Sequence, residues 1–173
     1  MQLIPQHIMD LLHGTRVLVV DDEFYTRKVI RALLMAMGIT NIFDADNGAK
    51  GLDVISTVVP DVVLVDWEMP GMDGAAFTKA VRMPDSFPYP NVPIIMLTGH
   101  SERWRVMEAL RLGVNEYLLK PVSSKMLLDR LVATLTRPRP IIKVGRYYGP
   151  EPRPASVYHP VNEALPNDIV LIG

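Results

Sequence analysis

The feature that most constrains the fold of this chain is a set of short, nearly unbroken apolar runs. The clearest are VLVV at positions 17–20, VVLV at 62–65 and PIIML at 93–97. A strand that is covered on both faces reads as a continuous apolar run, because neither of its faces meets water. These runs therefore predict buried strands of a parallel sheet.

Segments with helical spacing lie between the apolar runs. In residues 26–37, for example, Val29, Leu33 and Met37 share one stripe, and Gly38 follows as a helix-ending residue. The pattern predicts five strands, at 16–20, 41–45, 61–66, 92–98 and 116–119, of which the second is the weakest and lies nearer an edge. It predicts five helices, at 26–37, 48–59, 73–83, 101–112 and from 124 onward, with Ser101 and Ser123 as N-caps of the last two. This alternation is typical of an α/β protein with helices on both faces of the sheet.

The two ends of the chain differ from this repeating part. Residues 4–12 predict a short amphipathic helix within an N-terminal extension, 1–14. After the main domain, 15–136, the arm 137–173 is rich in proline, which fixes the backbone and removes an N–H donor. We expect a largely irregular arm that is inert, folds back on the domain or contacts another protein. Because residues 169–172 are apolar, we favour packing of the arm against its own domain or against that of a partner copy.

Composition excludes several functional classes. The chain has no cysteine, which rules out disulfide frameworks, thiol catalysis and cysteine zinc sites. Its formal net charge of -1 gives no reason to expect DNA or an anionic membrane as a partner, and no basic recognition helix is visible. The N-terminus has no basic start followed by a long apolar run, so we expect a cytoplasmic protein.

Polar residues follow the predicted strands at the points where those strands end. Asp21 and Asp22 follow the first strand, Asp66 ends the third, Thr98 ends the fourth, and Lys120 follows the fifth. Because the carboxyl ends of parallel strands lie at one edge of a sheet, we expect these side chains to converge there.

Three carboxylates that repel one another are best compensated by a hard divalent cation, and Mg²⁺ suits carboxylates completed by water and phosphate oxygens. Lys120 and Thr98 could hold two further oxygens of a phosphoryl group, which leaves an aspartate to accept it. The predicted chemistry is the formation of an acyl phosphate. Taken alone, Asp21 and Asp22 would more often be a helix N-cap and its neighbour, so the prediction depends on the whole set.

The same segments also resemble a known family. VLVVDD, VVLVDWEMPGMDG, PIIMLTG and YLLKP, in this order, resemble the receiver domain of two-component response regulators over residues 15–136. The resemblance implies a flavodoxin-like doubly wound sheet of strand order 2-1-3-4-5 with five helices. It also implies that Asp66 is the phosphoacceptor, that Asp22 and Asp66 bind Mg²⁺ directly, that Asp21 acts through water, and that the backbone carbonyl of Glu68 is a further ligand.

Further roles come from the same resemblance. Thr98 and Lys120 would contact the phosphoryl group, and the peptide bond from Lys120 to Pro121 would be cis. Tyr117 would be an aromatic switch that moves together with Thr98, although a core aromatic is an equal alternative.

The function implied is a response regulator receiver that accepts a phosphoryl group from a histidine kinase or phosphotransfer protein and switches protein contacts. It would be no enzyme beyond an intrinsic autophosphatase. Its downstream protein is unknown, a homodimer is one candidate output, and neither DNA nor a membrane is an expected partner.

The alternatives are a non-cycling pseudo-receiver or scaffold that acts through the arm, and a phosphatase or nucleotide-binding enzyme on the same sheet. The last is disfavoured, because the sequence has no glycine-rich phosphate loop and no Asp-x-Asp after the third strand.

Overall fold

Five parallel strands form the central sheet of the protein. The computed structural model describes residues 4–100 and 102–152. The strands are β1 (Arg16–Val20), β2 (Asn41–Ala45), β3 (Val62–Asp66), β4 (Ile94–Thr98) and β5 (Glu116–Leu119). Their order is β2-β1-β3-β4-β5 and every pairing is parallel, which confirms the predicted topology. All residues of β3 and β4 are buried, whereas β2 lies at an edge and is only partly covered.

Helices connect the strands and cover both faces of the sheet. They are α1 (Gln6–Gly14), α2 (Phe24–Ala36), α3 (Gly48–Val58), α4 (Gly74–Val81), α5 (Arg103–Leu112) and α6 (Ser124–Thr136). The bounds lie within two residues of the predicted ones. Strand β4 begins after Pro93, which has no N–H to donate to a ladder. Ser123 caps α6 by accepting a hydrogen bond from the Met126 N–H (3.2 Å). The predicted cap Ser101 lies outside the described residues, and Glu102 occupies the N-cap position of α5.

Two apolar cores lie on opposite faces of the sheet. One packs α3, α4 and α5 against the sheet around Phe77, and the other packs α2 and α6 around Leu34 and Leu131. Helix α1 adds Leu12, which is completely buried, to the second core. The sheet is therefore fixed from both sides, which holds the loops at its carboxyl edge in place. None of the helices in the described residues combines the length and apolar character that a bilayer crossing requires.

The described part of the arm contains a regular element that the sequence did not predict. Residues 137–152 contain an antiparallel hairpin of β6 (Ile141–Val144) and β7 (Tyr147–Pro150), with Gly145 at a positive φ in the turn. The sequence did not predict this hairpin, which forms because Pro140 precedes β6 and Pro150 ends β7, so the prolines flank the ladder rather than interrupt it. Residues 153–173, which include the apolar segment 169–172, lie outside the described residues.

The hairpin packs against the end of α5. A Cβ built on Gly149 would lie 3.0 Å from the Gly113 Cα, so a side chain here would force the two backbones apart. The Tyr148 hydroxyl donates a hydrogen bond to the Asn91 side chain, and the Arg139 guanidinium donates one to the Asn115 carbonyl. Residues 137–152 therefore fold back on the domain that precedes them.

A buried arginine lies beneath this contact. Arg82 is 6% exposed. Its guanidinium donates to four neutral oxygens: the carbonyls of Gly113 (2.9 Å), Pro90 (2.6 Å) and Val92 (2.8 Å) and the side-chain oxygen of Asn115 (3.0 Å). Burial lowers the pKa of Arg82 to about 10, while Tyr147 and Tyr148 act in the opposite direction. The arginine remains protonated and ties α4 to the loops on which the hairpin lies.

Candidate functional site

The three predicted carboxylates meet at the carboxyl edge of the sheet. In the β1–β3 ladder Val20 is paired with Val65, so the residues that follow, Asp21 and Asp66, lie side by side. Each of Asp21, Asp22 and Asp66 offers a carboxylate oxygen within 4.8 Å of the others. Asp21 is fully buried and Asp66 is 5% exposed, whereas Asp22 is open to solvent. The cluster therefore has a buried floor and an open side.

Lys120 reaches into this cluster from the end of β5. Its Nζ lies 2.8 Å from Asp66 Oδ1 and 3.2 Å from Asp21 Oδ2. Its backbone N–H donates to the Thr98 carbonyl (2.8 Å), and the peptide bond from Lys120 to Pro121 is cis. One ammonium group therefore contacts two of the three carboxyl groups, and negative charge remains in excess when all three are ionised.

Burial and charge perturb both members of the central pair. Burial raises the pKa of Asp66 to about 6; the Lys120 ammonium opposes this, and the charges of Asp21 and Asp22 add to it. For Lys120, burial by itself lowers the pKa, but the hydrogen bond and charge of Asp66 and the charge of Asp21 outweigh it, so the net shift is upward. The ammonium stays charged at neutral pH, while the Asp66 carboxylate is held at an energetic cost.

This cost predicts a pH-dependent effect of Asp66→Asn on the metal-free protein. Because the pKa of Asp66 is about 6 when folded and near 3.8 when unfolded, the folded state binds more protons between these values. The contribution of the Asp66 carboxyl group to stability therefore falls as the pH rises through this window. We expect Asp66→Asn to become more stable relative to wild type as the pH rises. The difference between their free energies of unfolding should grow by about 2 kcal/mol from about pH 4.5 to about pH 7.5. Urea denaturation in EDTA measures it; a difference that is constant with pH would contradict the assignment.

Thr98 lies beside the cluster at the end of β4. It is 3% exposed, and its hydroxyl oxygen accepts a hydrogen bond from the His100 N–H (3.0 Å). In the β3–β4 ladder Asp66 is paired with Leu97, so Thr98 is one residue farther along the same edge. The structure thus brings together Asp21, Asp22, Asp66, Lys120 and, next to them, Thr98, as the strand pattern predicted.

Glu68 directs its side chain away from this group. Its Oε1 lies 2.6 Å from His100 Nε2 and 3.3 Å from Arg105 Nη1, and the side chain is 61% exposed. These partners are 32 and 37 residues away in the chain, and no sequence pattern indicated the contacts. The Glu68 side chain is therefore occupied outside the cluster, and the candidate metal ligand at this position is its backbone carbonyl.

Tyr117 is buried in the sheet. It is 8% exposed, lies on β5 opposite Met96 of β4, and belongs to the core around Phe77. A buried Tyr117 ring is expected if the residue is part of the core, and it is equally expected for one of the two positions of a switch. The switch role of Tyr117 therefore stays a prediction.

Trp67 is a site neighbour that the sequence did not place. It follows Asp66 directly, is 7% exposed, and has the Arg105 guanidinium 5.9 Å from its ring centroid. Arg105 also lies over the exposed ring of Trp104, at 4.9 Å. The adjacency of Trp67 to Asp66 makes its fluorescence a natural reporter of the carboxylate cluster.

Gly74 fixes the loop between Asp66 and α4. A Cβ at this position would lie 2.6 Å from the Asp66 carbonyl oxygen and 2.9 Å from the Trp67 Cα. The Gly74 N–H donates to the Trp67 carbonyl (2.8 Å). The helix can therefore start directly against the backbone of the candidate acceptor.

Comparisons with known proteins agree with this geometry. A family model described as the response regulator receiver domain matches residues 17–132. The chemotaxis protein CheY of Pseudomonas aeruginosa is 34% identical over 116 residues, which cover 67% of this chain and 92% of that protein. The chemotaxis protein CheY-3 of Vibrio cholerae is 33% identical, with 67% and 88% covered.

Solved structures show the same likeness. The chemotaxis protein CheY4 of Vibrio cholerae has a TM-score of 0.61 at 32% identity, covering 68% of this chain and 95% of that one. The receiver domain of the histidine kinase CKI1 from Arabidopsis thaliana, solved with Mg²⁺ and BeF₃⁻, has a TM-score of 0.63 at 27% identity, with 74% and 95% covered.

Proposed function

The chain belongs to the response regulator receiver family, whose members are phosphoacceptors in two-component signalling, and on this premise we propose that Asp66 is the residue that accepts the phosphoryl group. The observation that carries the proposal is the contact of its buried carboxylate with Lys120 inside a cluster of three carboxylates. A buried, ionised carboxylate with a fixed ammonium beside it is a nucleophile that is already oriented for attack.

We propose Mg²⁺ as the cofactor of this site. The donors are all hard oxygens, and among the described residues the cluster of three carboxyl groups has one ammonium, which contacts two of them, so its charge balance suits a divalent cation. Asp22 and Asp66 would bind the ion directly, Asp21 through water, and the Glu68 carbonyl would complete the protein ligands. When bound, the ion neutralises charge on the transferring phosphoryl group. The solved CKI1 receiver, which carries Mg²⁺, supports this choice of cation.

The transfer step follows from the positions of the side chains. An oxygen of the Asp66 carboxylate attacks the phosphorus of a donor phosphohistidine; a P–O bond forms as the P–N bond breaks. The electron pair of the broken bond stays on the imidazole nitrogen, which takes a proton from solvent. Lys120 and Thr98 hold the oxygens of the transferred group, and their contribution is positioning and charge stabilisation.

The wider role is a phosphorylation-controlled contact with other proteins. The phosphoryl donor is a histidine kinase or phosphotransfer protein, and hydrolysis of the acyl phosphate by water at this same site resets the protein. We retain from the sequence the predictions of a cytoplasmic location, of Tyr117 and Thr98 as the switch, and of no direct DNA contact. The comparisons give no support to the alternative of a non-cycling scaffold.

Intact-mass analysis after incubation with acetyl phosphate and Mg²⁺ tests the proposal. We expect wild type to gain one phosphoryl group that is stable in acid and labile in base, and Asp66→Asn to gain none. Asp53→Asn, which removes an exposed carboxylate on α3, is the matched control and should label like wild type. Labelling of Asp66→Asn at the wild-type level would contradict the assignment, and an unlabelled wild type would favour the scaffold.

A further inference from the structure

Arg27, on α2, holds the backbone of the acidic cluster. Its Nη1 donates a 2.7 Å hydrogen bond to the carbonyl oxygen of Asp21, and its Nε lies 3.1 Å from Asp44 Oδ2 at the end of β2. The side chain is only 13% exposed although it lies at the rim of the sheet. The fork of the guanidinium thus joins the β1 loop to the neighbouring strand.

The other polar groups of Asp21 have different partners. Its N–H donates to the Ala45 carbonyl (3.1 Å), Oδ1 accepts from the Glu23 N–H (2.8 Å), and Oδ2 faces Lys120 (3.2 Å). The carbonyl bound by Arg27 belongs to the peptide unit that leads into Asp22. The orientation of that peptide sets the direction in which the Asp22 side chain leaves the backbone.

We infer that Arg27 is a positioning residue for the metal site: by fixing the peptide between Asp21 and Asp22, it aims the exposed Asp22 carboxylate at the other two carboxylates. This inference rests on the proposed function, since it concerns Mg²⁺ binding by the same cluster. Arg27 binds the Asp21 carbonyl and the Asp44 carboxylate, so its effect on the metal site would pass through the backbone of Asp21.

Positioning and simple electrostatics predict opposite results when the charge of Arg27 is removed. A cation near an acidic cluster repels Mg²⁺, so its loss alone would tighten Mg²⁺ binding. Loss of the hydrogen bond frees the peptide before Asp22 and weakens binding, as loss of outer partners of metal ligands does. The sign of the change therefore distinguishes the two effects.

Arg31 provides a matched control. It lies one turn farther along α2 and binds the other oxygen of the same carboxylate, with Nη2 at 3.0 Å from Asp44 Oδ1, but its backbone contact is with the Ile42 carbonyl (3.2 Å) and not with Asp21. Arg31→Gln therefore removes the same charge and the same type of ion pair as Arg27→Gln while leaving the peptide before Asp22 held.

The test is a Mg²⁺ titration of the full chain followed by tryptophan fluorescence, with Asp66→Asn as the reference for specific binding. We expect Arg27→Gln to raise the dissociation constant about tenfold. Arg27→Lys keeps the charge but lacks the fork that spans Asp21 and Asp44, so it should also weaken binding. Arg31→Gln should bind Mg²⁺ at least as tightly as wild type. At saturating Mg²⁺ the rate of labelling by acetyl phosphate should return to the wild-type value in both Arg27 variants.

The outcomes distinguish failure of the positioning role of Arg27 from failure of the proposed Mg²⁺ site. Equal dissociation constants for Arg27→Gln and Arg31→Gln, or wild-type binding by Arg27→Lys, would overturn the positioning role while the metal site stands. A wild-type protein whose fluorescence does not respond to Mg²⁺, or responds as Asp66→Asn does, would overturn both. If Arg27→Gln does not fold, as judged by circular dichroism, the comparison of Arg27→Lys with wild type decides.

Discussion

A chain truncated after Thr136 is expected to be less stable than one truncated after Pro152 by about 2 kcal/mol, with a melting temperature lower by roughly 6 °C. The difference between these chains is the hairpin, in which Gly149 and Pro150 are buried and Ile141, Ile142, Tyr147 and Tyr148 are half-buried. Its removal exposes apolar surface at the end of α5 and breaks the hydrogen bonds of Tyr148 and Arg139. The ordering entropy of the segment offsets part of this gain, which limits the net effect.

Point variants of the full chain make the same test without changing its length. Gly149→Ala places a Cβ against the backbone of Gly113 and should produce much of the loss that truncation produces. Val144→Ala, on the same hairpin but 60% exposed, is the control and should unfold like wild type. Thermal unfolding by circular dichroism measures all of these chains. Equal melting temperatures for the two truncations would mean that the hairpin contributes nothing to the stability of the domain.

Replacement of Lys120 by alanine is expected to slow labelling by acetyl phosphate about 100-fold, the effect of removing one charged group that stabilises the transition state. In wild type this ammonium contacts Asp66 and lowers its pKa against the effect of burial. Without it, the Asp66 carboxylate loses the ammonium that holds it in place, and the transferred oxygens lose a partner. Both changes reduce the rate.

Lys125→Ala is the control for this variant. Lys125 is an exposed lysine on α6 whose partner is Asp129, one turn along the same helix, so its loss should leave the labelling rate unchanged. The rates are measured at saturating Mg²⁺ so that altered metal affinity does not contribute. A Lys120→Ala protein that labels at the Lys125→Ala rate would remove Lys120 from the proposed mechanism.

The sheet and the convergence of the site could be predicted from the sequence because both depend on local patterns. Continuous apolar runs specify strands buried on both faces, and parallel strands bring Asp21, Asp66 and Thr98 to one edge without further information. The edge position of β2 followed in the same way, from its broken apolar pattern.

Contacts between distant segments could not be predicted in this way. The partners of Arg82 are 8 to 33 residues away, and the contact of Glu68 with His100 spans 32 residues. The hairpin was missed because proline was counted by frequency and not by its position at the ends of the strands. Arg27 gives no sequence signal either, since its contact with the Asp21 carbonyl is made to a backbone group that any residue carries.

The most direct test of the central claim is chemical localisation of the phosphoryl group. After labelling with acetyl phosphate and Mg²⁺, borohydride reduces an aspartyl phosphate to homoserine and releases phosphate, and peptide mass spectrometry reads the position. We expect homoserine at position 66 in wild type and at no other position. Homoserine at position 21 or 22, or none in a protein that has gained a phosphoryl group, would contradict Asp66 as the acceptor.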